Sequence, residues 1–94
     1  MKIIRSHTTP QFENDFDSLP QYIQAKAKRK IKLFEENCSY PSLGVHKLKG
    51  ILNNFWSFSI DDDYRTIFRF LPKQEAVYYR IGHHKIYKEL ERLF

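Results

Sequence analysis

Phe12, Phe16 and Leu19 stand four and then three positions apart, with mostly polar residues between them. That spacing puts three apolar side chains on one stripe of a helix. Thr9-Pro10 just ahead supplies a hydroxyl cap and a proline at the first helical position. Pro20 resets the chain and opens a second helix, whose apolar stripe is Ile23, Ala27, Ile31 and Phe34. Its other faces carry Lys26, Lys28, Arg29, Lys30 and Lys32. Two short helices joined at a proline predict an αα-hairpin that must lie on something apolar.

Elsewhere the period shortens to that of strands. Lys2–Ser6 reads as a short first strand, and Asn37–Gly44 as loop. Val45–Gly50 reads as a strand, followed by a turn at Ile51–Asn54. Phe55–Ile60 alternates, with Trp56, Phe58 and Ile60 on one face. Asp61–Asp63 is polar turn chemistry. Tyr64–Leu71 follows, with Tyr64, Thr66, Phe68 and Phe70 on one face and Arg65, Ile67, Arg69 and Leu71 on the other. After a turn at Pro72–Gln74, Glu75–Ile81 forms the last strand, with Val77, Tyr79 and Ile81 on one side. A closing helix starts near His83 or His84. The order β-α-α-β-β-β-β-α predicts an α+β fold. Its small antiparallel sheet is mixed by its first strand. The helical hairpin packs on one sheet face, the other face is left partly open, and a short helix ends the chain.

At 94 residues, one domain spanning 1–94 is expected. Eight Phe and six Tyr fit a folded core. No apolar run approaches the ~20 residues of a membrane span, and the N-terminal apolar stretch is too short for a secretory signal. A cytoplasmic protein is expected. Cys38 is the one cysteine, so it has no internal disulfide partner and reads as a small buried or half-buried residue in a reducing compartment. A net charge of +5 points to an anionic partner, either nucleic acid or an acidic protein.

Alternation puts Lys47 and Lys49 on one face of their strand and His46 and Leu48 on the other. With Leu48 toward the core, His46 goes there too or sits at its edge. Arg65 and Arg69 share a strand face, as do Tyr78 and Arg80. If the sheet aligns these faces, Lys47, Lys49, Arg65, Arg69 and Arg80 line a cationic concavity, with His83, His84 and Tyr87 at its rim. The lysine-rich helix reads either as a solvated face or as a docking surface for a phosphate backbone. Such a set suits RNA cleavage by the RNA's own 2′-hydroxyl. Imidazoles exchange protons near neutrality, cations stabilise the phosphate, and aromatics stack bases. No HxxxH, CxxC or carboxylate cluster calls for a metal, and no cofactor is expected.

The stretches VHKLKG, FWSFSIDDDYRTIFRF and VYYRIGHHKIY, in that order, resemble the RelE/ParE superfamily of bacterial toxin–antitoxin toxins. The closer likeness is to its RelE-like mRNA interferase branch. It covers nearly the whole chain, and its most specific part is the Tyr-Arg element with the terminal Gly-x-His-x-x-Tyr. The resemblance implies a metal-independent endoribonuclease that cuts mRNA in the ribosomal A site. It also implies a free toxin that is monomeric and is silenced by a cognate antitoxin. It implies phosphate binding by Arg65, strand lysines facing the scissile phosphate at Lys47 and Lys49, action on the leaving group by His84, and either nucleotide orientation or help with proton transfer by Tyr87. His46 matches a position that some relatives use in catalysis. Lys26, Arg29, Lys30, Arg69, Arg80 and His83 are further candidate RNA contacts. His83 departs from the family pattern, and the general base stays open among Lys47, Lys49, Glu89 and His46. The superfamily also holds ParE-like gyrase inhibitors, and a degenerate toxin that only binds antitoxin is a further alternative.

Overall fold

The Thr9 hydroxyl accepts a hydrogen bond from the Phe12 N–H at 3.1 Å, and Pro10 occupies the first helical turn. Helix α1 (Pro10–Asp17) therefore begins where its cap dictates. In this computed structural model, which describes residues 1–94, α2 runs from Gln21 to Glu36. The Gln24 amide donates to the Phe16 carbonyl at 2.9 Å and closes the corner between the two helices.

Five strands form one sheet: β1 (Arg5–Thr8), β2 (His46–Lys47), β3 (Trp56–Ser59), β4 (Arg65–Leu71) and β5 (Glu75–Gly82). Their spatial order is β1-β5-β4-β3-β2. The last four strands make an antiparallel meander, and β1 pairs parallel to β5. Helix α3 (Lys85–Glu91) closes the chain. No helix is long and apolar enough to cross a membrane.

Two strands differ from the sequence expectation. Pairing of the first begins at Arg5, because Ile3 is drawn into the core and its N–H donates to the Glu35 carbonyl at the end of α2, at 2.8 Å. β2 is only two residues long, because the chain leaves the ladder for a 3₁₀ turn at Gly50–Leu52, where Gly50 takes a φ of 68°.

The sheet has a core on each face. On the helical-hairpin side Phe34 sits at the centre, its ring 4.7 Å from both Phe58 and Phe68. Phe12, Ile23, Ala27, Leu43, Tyr78, Ile81 and the free Cys38 are among the residues that join it in that core. The opposite face is not left open, as the sequence suggested. Helix α3 lies across it, and Ile86 and Leu90 pack with Leu52, Phe55 and Ile67.

A bulge in β5 sorts side chains between the two cores. Ile67 faces Arg80 and Phe68 faces Tyr78, so Tyr79 is the extra residue. Tyr78 and Ile81 consequently both enter the hairpin-side core, while Tyr79 packs in the other. The expected sharing of one face by Val77, Tyr79 and Ile81 fails at this bulge, and so does the pairing of Tyr78 with Arg80.

Candidate active site

The α3 side of the sheet carries a line of polar side chains. The Cα partners run His46↔Ser57 and Ser57↔Ile67, and paired residues share a face. Neighbouring strands lie about 5 Å apart, so His46 stands two strands from Ile67, at about 10 Å. From α3 the Tyr87 hydroxyl reaches down to the Ser57 Oγ, at 2.7 Å. His84 lies one turn earlier on the helix, with its ring centroid 6.1 Å from that of Tyr87. The half-buried Tyr87 phenol thus shares its sheet face with two exposed imidazoles, His84 along the helix and His46 on the strand next to Ser57.

The tautomer of His46 is set by its surroundings. Its Nδ1 lies 2.9 Å from the Gly44 carbonyl. A carbonyl only accepts, so Nδ1 carries the proton and a neutral ring presents the Nε2 lone pair outward. Gly44 adopts φ 60° and ψ 41° at the end of the 3₁₀ turn Pro41–Leu43, a left-handed conformation that suits glycine.

Arg65 is on the same face, two residues along β4 from Ile67. Its Nη1 donates to the carbonyls of Asp61 and of Tyr64, the latter at 3.1 Å. These bonds tether the guanidinium to the β3–β4 turn and leave Nε and Nη2 without a protein partner. The turn is itself rigid. Asp61 accepts from the N–H groups of Asp63 and Tyr64, each at 2.9 Å. Burial acts to raise the Asp61 pKa, but those two N–H groups and Lys26, at 3.6 Å, outweigh it and the pKa is lowered.

Lys26, Arg29 and Lys30 line a cleft of about 450 Å³ with Ser42, Ser59, Asp61 and Asp62. Asp61 joins this basic cleft to Arg65, since it bonds both Lys26 and Arg65.

Lys47 of β2 and Lys49, just beyond it, fall on the other side. Lys47 is paired with Trp56, which packs in the hairpin-side core, and the extended backbone of Lys49 keeps it on the side of Lys47. The sequence divided these residues correctly between two faces but assigned the faces in reverse. Leu48 does point to a core, and that core is the one under α3. His46 therefore shares the Tyr87 face, and Lys47 and Lys49 do not.

Arg80 is a second correction. Its Nε donates to Asp15 at 2.6 Å, and its Nη2 to Asp15 at 3.1 Å and to Glu89 at 2.9 Å. Its side chain is 12 % exposed, and the Asp15 and Glu89 bonds, against some burial, hold its pKa up. It clamps α1, β5 and α3 together rather than offering a free cation. Glu89 is committed to the same clamp. Arg69 lies at the far end of the face, with its Cζ 5.9 Å from the Phe55 ring centroid. His83 turns toward Tyr64, at 4.2 Å between ring centroids. Burial first, then Tyr22, Asp61 and Asp63, raise the Tyr64 pKa and keep that phenol neutral. No group of three His, Cys, Asp or Glu side chains converges to hold a metal ion.

Sequence reasoning missed Ser57. Its signal was a serine between Trp56 and Phe58, on the strand face opposite to theirs.

A family model for the ParE toxin of type II toxin–antitoxin systems matches residues 7–86. The chain belongs to this family, within the RelE/ParE superfamily. No curated protein matches it in sequence. Among solved structures it is similar to a YoeB/ParE toxin from Agrobacterium tumefaciens, with TM-score 0.73 and 18 % identity over 89 % of this chain and 99 % of that one. It is similar to YafQ from E. coli, with TM-score 0.73 and 15 % identity over 87 % and 94 % of the two chains. It is also similar to the archaeal RelE–RelB complex from Pyrococcus horikoshii, with TM-score 0.70 and 18 % identity over 88 % and 96 %. At these identities the likeness is one of fold.

Proposed function

We propose that this chain is a toxin that cuts mRNA on the ribosome, by attack of the RNA 2′-hydroxyl on the adjacent phosphate. The observation that carries this reading is that Tyr87, with His84 beside it, bonds Ser57, the strand partner of His46, on the face that also holds Arg65. In this reading Nε2 of His46 takes the 2′-hydroxyl proton. The 2′-oxygen bonds to phosphorus, the 5′-oxygen leaves, and His84 gives that oxygen a proton. The products are a 2′,3′-cyclic phosphate and a 5′-hydroxyl end. The free Nε and Nη2 of Arg65 bind the phosphate as charge builds on it, and Tyr87 orients the nucleotide. Lys26, Arg29 and Lys30 hold the flanking backbone in the cleft beside Arg65. Lys47 on the edge strand and Lys49 just after it contribute charge rather than contacts at the scissile phosphate.

The archaeal RelE is in complex with RelB, and E. coli YafQ with DinJ. By that likeness this chain takes an acidic antitoxin that folds over its basic surface and silences it in the cytoplasm. The match to a ParE model favours one competing reading, inhibition of DNA gyrase on the same fold.

Primer extension on a defined transcript after induction separates the two, with an Arg65→Ala/His84→Gln double variant as control. Codon-phased cuts within translated regions, absent from the control, support the nuclease. Growth arrest with intact transcripts and broken DNA moves the assignment to gyrase.

A further inference from the structure

Ser57 is fully buried in the middle of the sheet face, with Phe55 and Ile67 as apolar neighbours. Alanine would suit such a position by polarity. The Ser57 hydroxyl has one polar partner in the protein, the Tyr87 hydroxyl at 2.7 Å.

The direction of that bond follows from counting protons. If Tyr87 donated to Ser57, the serine proton would be left buried with no acceptor, which buried hydroxyls avoid. If Ser57 donates to Tyr87, the serine is satisfied and the phenol proton is free to point out of the sheet. An RNA phosphate offers only acceptors, so a tyrosine that serves it must be the donor. A phenol oxygen that accepts a hydrogen bond also becomes a stronger donor.

We propose that Ser57 is a positioning residue of the RNA site. It fixes the Tyr87 ring beside His84, over the strand partner of His46, and turns its O–H toward the substrate. This rests on the ribonuclease reading above, and it adds to that reading a residue from the floor of the sheet.

The test is single-turnover cleavage of a defined mRNA on programmed ribosomes. It compares wild type, Ser57→Ala and Ser57→Thr, each with and without Tyr87→Phe, and checks folding by urea denaturation. Ser57→Ala is expected to slow the cutting step about tenfold with little change in substrate affinity. Ser57→Thr keeps the hydroxyl and is expected to restore the rate to within about threefold. In the Tyr87→Phe background Ser57→Ala should have no further effect, since the oxygen it addresses is gone. A Ser57→Ala protein that cuts at the wild-type rate would overturn the inference, as would an equal loss in both backgrounds. A wild-type protein that cuts no mRNA would instead remove the ribonuclease reading, and this role for Ser57 with it.

Discussion

Arg80 and Asp15 are bound through two nitrogens and two oxygens, at 2.6 and 3.1 Å, across 65 residues of sequence. The pair ties α1 to β5 just beyond the bulge, where Asp15 also accepts from the Ile81 N–H at 3.1 Å. The third arm, to Glu89, reaches the helix that carries Tyr87.

Removing Asp15 leaves the Arg80 guanidinium, which has little access to water, with Glu89 alone, and takes away the acceptor of the Ile81 N–H. Asp15→Ala is expected to cost about 3 kcal/mol, read from urea unfolding. Arg5→Ala is the control. The Arg5–Glu75 contact is 4.0 Å long, with Arg5 73 % exposed, so its loss should change stability by less than about 0.5 kcal/mol.

Gly82 lies beneath α3. A methyl group there would meet the Ile86 Cγ2 at 3.0 Å, closer than such atoms normally approach. Gly82→Ala should therefore press Ile86 away by a few tenths of an ångström and disturb the seat of α3, which carries Tyr87. We expect cleavage to fall a few-fold with a small loss of stability, because even a shift of tenths of an ångström is felt by positioned chemistry. Full activity in a folded Gly82→Ala protein would count against α3 as the carrier of the site.

His46 and His84 are both exposed, so replacing either with glutamine should leave the unfolding midpoint nearly unchanged. Each substitution is expected to lower the cleavage rate by roughly 100-fold or more. The bell-shaped pH profile of a base–acid pair should lose its acidic limb in His46→Gln and its basic limb in His84→Gln. Loss of the opposite limbs would exchange the two roles.

The lowered pKa of Asp61 makes a signed prediction about acid. A carboxyl whose folded pKa is depressed stabilises the fold above its unfolded value, and that contribution is lost as pH falls through the folded value. Wild type should be more stable than Asp61→Asn at neutral pH. The difference should shrink once the pH drops below the ordinary aspartate value, and vanish below the depressed one. Urea midpoints along an acid titration read this directly. A constant difference at all pH values would mean that the charge is not what matters.

The sequence by itself determined the elements and much of their order. Thr9-Pro10 and the stripe from Phe12 fixed the first helix, Pro20 started the second, and the alternation of the last strands gave the meander. These are local signals, read within a few residues by caps and periodicity. Alternation also grouped His46 with Leu48 and Lys47 with Lys49. Period two says which residues share a face, but not which face meets which layer. Only the tertiary structure decided that, because α3 builds a second core under Leu48 and so puts His46 on the face of Tyr87. The bulge at Tyr79 is also a long-range matter, since one extra residue in β5 is defined only against β4. Arg80 and Ser57 follow the same logic. One reads as a free cation and the other as a plain surface serine until Asp15, Glu89 and Tyr87 arrive from distant segments to pair with them.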